Sequence, residues 1–306
     1  MTKPLDRNDL ILCSGMLLGH PLRAKIRAAA EAGYAGITLW PEDVEQAHGE
    51  GLSDADIRSL LADYGQVVVD MDPLLDWTPE ARPKPGEALV AVTPEAEFYA
   101  IAEAFGARSL NVVQGFGTTL DLDRAAEDLA GVCDRAHDHG LVVTVEFLPW
   151  SGIPNAAVAL DLVRRTGRTN ATVLVDTWHW FRGGADLAML AALPGDKVGS
   201  VQLNDAPREP AAHLMLESMQ GRLMPGEGAI PIVEVVKTLD AIGSAAPIGI
   251  EVFHESHGRL DEIPRIGLRP GNPGDAAADG LHPRDRVDRR AQVVCRQGRS
   301  HTGFST

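Results

Sequence analysis

Four residues in the second half of the chain could act together chemically: Glu146, Asp176, Gln202 and Glu251. Each stands at or near the end of a short apolar run, in VVTVE, TVLVD, VGSVQL and IGIE. His179 follows Asp176 by three residues, and Asp205 follows Gln202 by three. A run such as TVLV, aliphatic and β-branched, reads as a strand covered on both faces. A carboxylate at its end must face a partner, because burying even a neutral polar group without one costs about 2–7 kcal/mol. Taken alone, Asp176 could simply cap the next helix, with His179 in an exposed loop. Four oxygen-bearing side chains at matching places on successive strands ask for more. Three carboxylates brought together repel and raise one another's pKa, and a divalent cation resolves the conflict by coordination. An all-oxygen donor set favours one hard ion, Mn²⁺ or Mg²⁺, with Co²⁺ as a further candidate.

The elements that must position these residues alternate along the chain. Strands are expected over residues 10–18, 36–40, 66–71, 109–113, 141–147, 172–176, 198–203 and 248–253. Helices are expected over residues 21–33, 53–65, 93–106, 120–140, 155–167, 185–193 and 230–242. The helix signals are local: Ser53 and Thr93 as caps, Pro21 and Pro94 near starts, Gly33, Gly106 and Gly140 at stops. Residues 41–52 read as a polar loop, and the Pro-rich stretch 72–92, with Trp77, as a loop over the top of the fold. Eight near-continuous apolar strands separated by helices, over roughly 250 residues, define an α/β chain and fit the closed (β/α)8 TIM barrel. The rival, an open doubly wound sheet, would carry a Gly-rich phosphate loop after the first strand, and Gly15-Met16-Leu17-Leu18-Gly19 does not match one. Active sites of such barrels lie at the C-terminal strand ends, where the four residues fall.

Composition narrows the partners. The 306 residues are 44% hydrophobic and 23% charged, as in an ordinary globular protein. A formal net charge of −15 disfavours nucleic acid, whose phosphates need Lys and Arg. No apolar run is long enough to span a bilayer, so no membrane partner is expected. The N-terminus has no basic stretch followed by an apolar one, so no signal peptide is expected. Cys13, Cys133 and Cys295 are few and odd in number, which fits a reducing, cytoplasmic location.

The stretches TVEFLPW, LVDTWHW, SVQLND, RLMPGEG and IGIEVF, in that order, resemble the xylose isomerase-like TIM-barrel family of sugar phosphate isomerases and epimerases. The resemblance spans about Leu10 to Phe253, and its most specific parts are D-x-x-H, the Gln-Leu-x-Asp strand end and P-G-E-G. It implies that the metal sits on Glu146, Asp176, Gln202 and Glu251. Many family members have His where this chain has Gln202, whose carbonyl oxygen still coordinates and shifts preference toward harder ions. It also implies that His179, Arg222 and Asp205 lie on the substrate side. Trp150, just after a strand at the barrel mouth, reads as an apolar wall beside a sugar ring.

On this reading the substrate is a small sugar, polyol or related hydroxy-ketone. The metal would polarise the carbonyl and stabilise an enediolate, with Glu146 and Glu251 as acid and base. Return of a proton from the opposite face at the same carbon gives epimerisation, return at the neighbouring carbon gives isomerisation, and loss of a β-hydroxyl gives dehydration. A metal-dependent dehydratase of a keto-cyclitol or polyol therefore stands as the alternative on the same barrel, and a non-catalytic polyol-binding relative as another. A DNA-repair endonuclease on this barrel would need a basic surface and further His ligands, against which the net charge and Gln202 both argue.

After Glu255 the text changes character. Residues 1–256 are expected to form the barrel, and residues 257–306 a disordered or aberrant C-terminal tail, with Pro264, Pro270, Pro273 and Pro283 interrupting any helix. The eighth helix of the barrel is then atypical or missing. A reading-frame change near Glu262 would account for the Arg/Gly/Pro-rich tail, and the flank left bare would favour a homo-oligomer.

Overall fold

The computed structural model describes residues 5, 9–84 and 92–254. Eight parallel strands close into a barrel in chain order. They are β1 (Leu10–Leu12), β2 (Gly36–Leu39), β3 (Val67–Leu74), β4 (Ser109–Val113), β5 (Val142–Glu146), β6 (Ala171–Asp176), β7 (Val198–Leu203) and β8 (Ile248–Ile250). β8 pairs back onto β1, with Leu12 opposite Ile250. The outer ring holds α1 (Leu22–Ala32), α2 (Pro41–Gly49), α3 (Asp54–Asp63), α4 (Glu95–Phe105), α5 (Leu122–Asp138) and α6 (Ala156–Thr166). It continues with α8 (Leu187–Ala191) and α10 (Ile232–Ala241), while α7 (Thr177–Arg182) and α9 (Leu214–Gln220) contribute residues to the cavity at the barrel mouth.

Local chemistry accounts for these boundaries. Ser53 accepts from the backbone N–H of Asp56 and Asn155 from that of Val158, so α3 and α6 start where their caps stand. Gly33, with φ of 90°, ends α1 in the left-handed region that glycine enters without steric cost. On α5, Ala125, Ala126, Leu129, Val132, Cys133 and Ala136 make one buried stripe at helical spacing. Burying a Leu or Val side chain contributes about 1.5–3 kcal/mol, which is what lays α5 onto the sheet.

Four expectations need correction. The first strand stops at Leu12, and Ser14–Leu17 turns as a 3-10 helix. The turn is held by the Ser14 hydroxyl, which donates to Asp43 at 2.6 Å, and by Lys25, which ion-pairs with the same carboxylate at 2.5 Å. The polar stretch after Trp40 is not a loop but α2, with Pro41 at its first position and Asp43 accepting from the Trp40 N–H at 3.1 Å. β3 runs on through Pro73 to Leu74, because the register shifts between Met71 and Leu74 and the ladder needs no N–H from Pro73. The short helices α7 and α9 give no periodic signal: α7 starts on the Asp176 cap but holds His179 buried inside the helix rather than in an exposed loop, and α9 occupies a stretch with no expected element. The atypical or missing eighth helix and the tail 257–306 lie outside the described residues.

Register sets what faces the barrel axis. Asn111 pairs with Thr144, Asp176 with Gln202, and Gln202 with Gly249. In-register neighbours face the same side, and side chains alternate along each strand. The axis therefore collects alternate residues: Asp70 and Asp72, Ser109 and Asn111, Thr144 and Glu146, Thr172, Leu174 and Asp176, Ser200 and Gln202. Bonds across the interior agree, for Asp70 on β3 accepts from Ser109 on β4 and, at 2.9 Å, from Ser200 on β7.

Candidate active site

At the C-terminal end of the barrel this polar interior opens into a cavity bordered by Asp72, Glu146, His179, Arg222 and Glu251. The rest of its lining is mostly apolar and includes Leu75, Val113, Leu148 and Trp150. Glu146 and Asp176 are the last residues of β5 and β6, Gln202 the penultimate residue of β7, and Glu251 the residue after β8. All four are buried. Ligand atoms of Glu146, Asp176 and His179 lie within 4.8 Å of one another, and so do those of Cys13, Asp72 and Glu251.

Asp176 both caps a helix and faces the site. One oxygen accepts from the His179 N–H at 2.9 Å, starting α7. The other accepts from Asn204 Nδ2 at 2.6 Å and from Arg222 Nη1 at 2.9 Å. Arg222, 2% exposed, also reaches Glu251 Oε2 at 3.0 Å, Ser218 Oγ at 2.9 Å and His179 Nε2 at 3.2 Å. His179 Nε2 stands 3.2 Å from Glu146 Oε1 as well. When neutral at Nε2 the ring accepts from the guanidinium, and when protonated there it donates to the carboxylate. Glu251 Oε1 accepts from Gln202 Nε2 and Cys13 Sγ, each at 3.0 Å.

The charges do not balance. Burial, with the neighbouring Glu146 and Asp176 carboxylates, pushes Glu251 up to about 8 against the pull of Arg222. Burial, Glu251 and Glu146 also hold Asp72 well above the usual carboxylate range. The carbonyl oxygen of Gln202 is buried with no hydrogen-bond partner. A divalent ion fits that donor set: carboxylates in excess of cationic groups, and an orphaned amide oxygen beside them.

The residues read from sequence fare differently. Glu146, Asp176 and His179 come together, and Glu251, bonded to Gln202, is linked to Asp176 through Arg222. Arg222 joins them, bonded to carboxylates and to Ser218. Trp150 borders the cavity with its ring edge-on to His179, centroids 5.6 Å apart. Asp205 does not join them. Its oxygens accept from the backbone N–H groups of Ala206, Gly226 and Ile230, so it anchors the loop that carries P-G-E-G. Burial raises its pKa and these backbone bonds oppose the rise.

Asp72, Asn111, Asn204 and Cys13 were missed. Asp72 falls just past the strand end expected at residue 71, where Pro73 reads as a break. Asn111 and Asn204 carry no charge to draw notice. The signal that would have found Asp72 and Asn111 is the alternation D-M-D and S-L-N, polar at every second strand position.

A closed parallel barrel with acidic and amide side chains at its C-terminal mouth defines a TIM barrel, the fold whose active sites lie at that end. The chain belongs to the xylose isomerase-like TIM barrel family, which matches residues 26–281. A 3-dehydroshikimate dehydratase of Pseudomonas aeruginosa is 29% identical over 278 residues, covering 86% of this chain and 39% of that protein. The chain thus spans about two fifths of the length of that relative. A putative hydroxypyruvate isomerase of Streptomyces coelicolor is 26% identical over 250 residues, covering 76% of this chain and 85% of its own. The crystal structure of the IolI protein with a zinc atom superposes with a TM-score of 0.71 at 16% identity, over 97% of this chain and 100% of that one. That likeness shows the shared fold. Among the described residues no helix is long and apolar enough to cross a membrane.

Proposed function

We propose that the barrel mouth is the active site of a divalent-metal-dependent isomerase or epimerase acting on a small sugar or related hydroxy-ketone. The observation that carries this reading is the convergence of Glu146, Asp176 and Glu251 on one buried floor with the unpartnered carbonyl oxygen of Gln202. Glu146, Asp176, Gln202 and Glu251 would hold the ion, Mn²⁺ or Mg²⁺ by their oxygen donors. When bound, a divalent cation supplies a Lewis acid that polarises a carbonyl and balances the charge left by deprotonation.

The chain's own groups do the rest. Glu146 and Glu251 approach the cavity from strands three apart, so one takes the proton from the carbon beside the carbonyl and the other returns one. His179 can hold a proton at Nε2, within reach of Glu146 Oε1. Arg222 orients the carboxyl groups of Asp176 and Glu251 rather than gripping substrate. Trp150 and its apolar neighbours offer a dry face to the carbon skeleton. Buried free thiols at Cys13 and Cys133 support a reducing, cytoplasmic setting.

Dehydration is the second reading, favoured by the dehydratase of Pseudomonas aeruginosa, whose match covers 86% of this chain. Incubation with Mn²⁺ and a panel of ketoses, inososes and 3-dehydroshikimate in D₂O separates the two by mass. Deuterium gained without loss of water supports isomerisation or epimerisation; loss of water supports the dehydratase. Glu146→Gln and Glu251→Gln should each lower turnover about 10²–10⁴-fold. A panel in which no substrate exchanges or loses water refutes both readings.

A further inference from the structure

Asn111 lies on the barrel axis, fully buried, between two carboxylates of the cavity. Its Nδ2 donates to Asp72 Oδ1 and to Glu146 Oε2, each at 2.8 Å. Its Oδ1 accepts from Thr144 Oγ1 at 3.0 Å, across the β4–β5 register pair. All three groups are buried. This network admits one orientation of the amide. Turned over, the carbonyl oxygen would face Asp72 and Glu146, and both N–H bonds to these acids would be lost. The two N–H bonds are thus spent on two acids that would otherwise repel, and Thr144 holds the amide to that task. With Oε2 secured, the remaining oxygen of Glu146 is presented toward His179, at 3.2 Å.

We propose that Asn111 is the positioning residue for Glu146: it holds the carboxylate at the angle needed for cation binding, and Asp72 and Thr144 hold Asn111. This rests on the reading of Glu146 as a ligand of the divalent ion. A buried amide that only filled space would be replaced by an apolar side chain at no loss. Outer partners that orient a ligand instead set its affinity, and losing one costs about 10–100-fold.

The test is Mn²⁺ titration of the metal-free full-length protein, followed by electron paramagnetic resonance. Asn111→Leu should bind Mn²⁺ about 10–100-fold more weakly than wild type. In a Glu146→Ala background the same substitution should change affinity no further, because Asn111 acts through Glu146. Thr144→Val, nearly equal in volume and less disruptive than Asn111→Leu, should weaken binding in the same direction by less. Unchanged affinity in both Asn111→Leu and Thr144→Val overturns the proposal. So does an Asn111→Leu loss repeated in full in the Glu146→Ala background, which would mark a general effect on the fold. Wild-type protein that binds no Mn²⁺, Mg²⁺, Co²⁺ or Zn²⁺ overturns the metal reading itself and this inference with it.

Discussion

Glu251 shows how burial turns an ordinary acid into a pH-sensitive one. Its carboxyl rises from an ordinary 4.5 to about 8, because it is buried beside Glu146 and Asp176. The folded chain then holds a proton that the unfolded chain has released throughout the window between those values. Stability must therefore fall as pH rises from about 4.5 to about 8, opposite to the usual salt-bridged carboxylate. In metal-free protein, calorimetry should show the melting temperature declining more steeply across this window in wild type than in Glu251→Gln. Added Mn²⁺ favours the ionised acid, so it should raise the melting temperature more at the top of the window than at the bottom. Equal slopes in the two proteins would show that Glu251 does not carry the effect.

The elements after β6 and β7 are arranged to bring two groups, His179 and Arg222, to the site. α7 starts on Asp176 and carries His179. α9 is clamped to α7 by Glu217, which pairs with Arg182 and accepts from Trp178 Nε1 at 3.2 Å. Arg222 stands two residues after α9, and its Nε donates to the Ser218 carbonyl at 2.7 Å. Beyond it, Asp205 ties the P-G-E-G turn to the end of β7. Gly228 packs so closely there that a Cβ would overlap the Ala206 carbonyl oxygen and the Asp205 carboxylate. Gly228→Ala should therefore destabilise the protein by about 1–3 kcal/mol, measured by urea unfolding, through overpacking against backbone that cannot yield. Wild-type stability in this variant would show that the turn moves freely and that Asp205 does not anchor it.

At the scale of the whole molecule, closure depends on the pairing of β8 with both β1 and β7. Ile250 lies opposite Leu12 on one side and Leu203 on the other and is 2% exposed. Ile250→Ala should cost about 2–5 kcal/mol by denaturant unfolding, the range for a large-to-small change in a packed core. A loss below about 1 kcal/mol would mean that this seam repacks freely and contributes little to closure.

The alternation of apolar strands and capped helices determined the closed barrel, because period and punctuation are local properties. The same runs ended on Glu146, Asp176, Gln202 and near Glu251, so the placement of these four at one end of the barrel was legible without a structure. Asp205 was assigned to the substrate because a carboxylate near a strand end looks the same whether it faces the axis or folds back onto a loop. Only the backbone N–H groups of Ala206, Gly226 and Ile230, supplied from another part of the chain, decided the difference. Asp72 and Asn111 went unread because Pro73 reads as a break and a neutral amide draws no notice, and the D-M-D and S-L-N alternation marks an inward face rather than a function. Their place beside Glu146 depends on the register between β3, β4 and β5, and register is set by packing across strands. Sequence could place the groups at the barrel mouth, but which of them bond to one another depends on contacts far apart in the chain, and only the tertiary structure decided that.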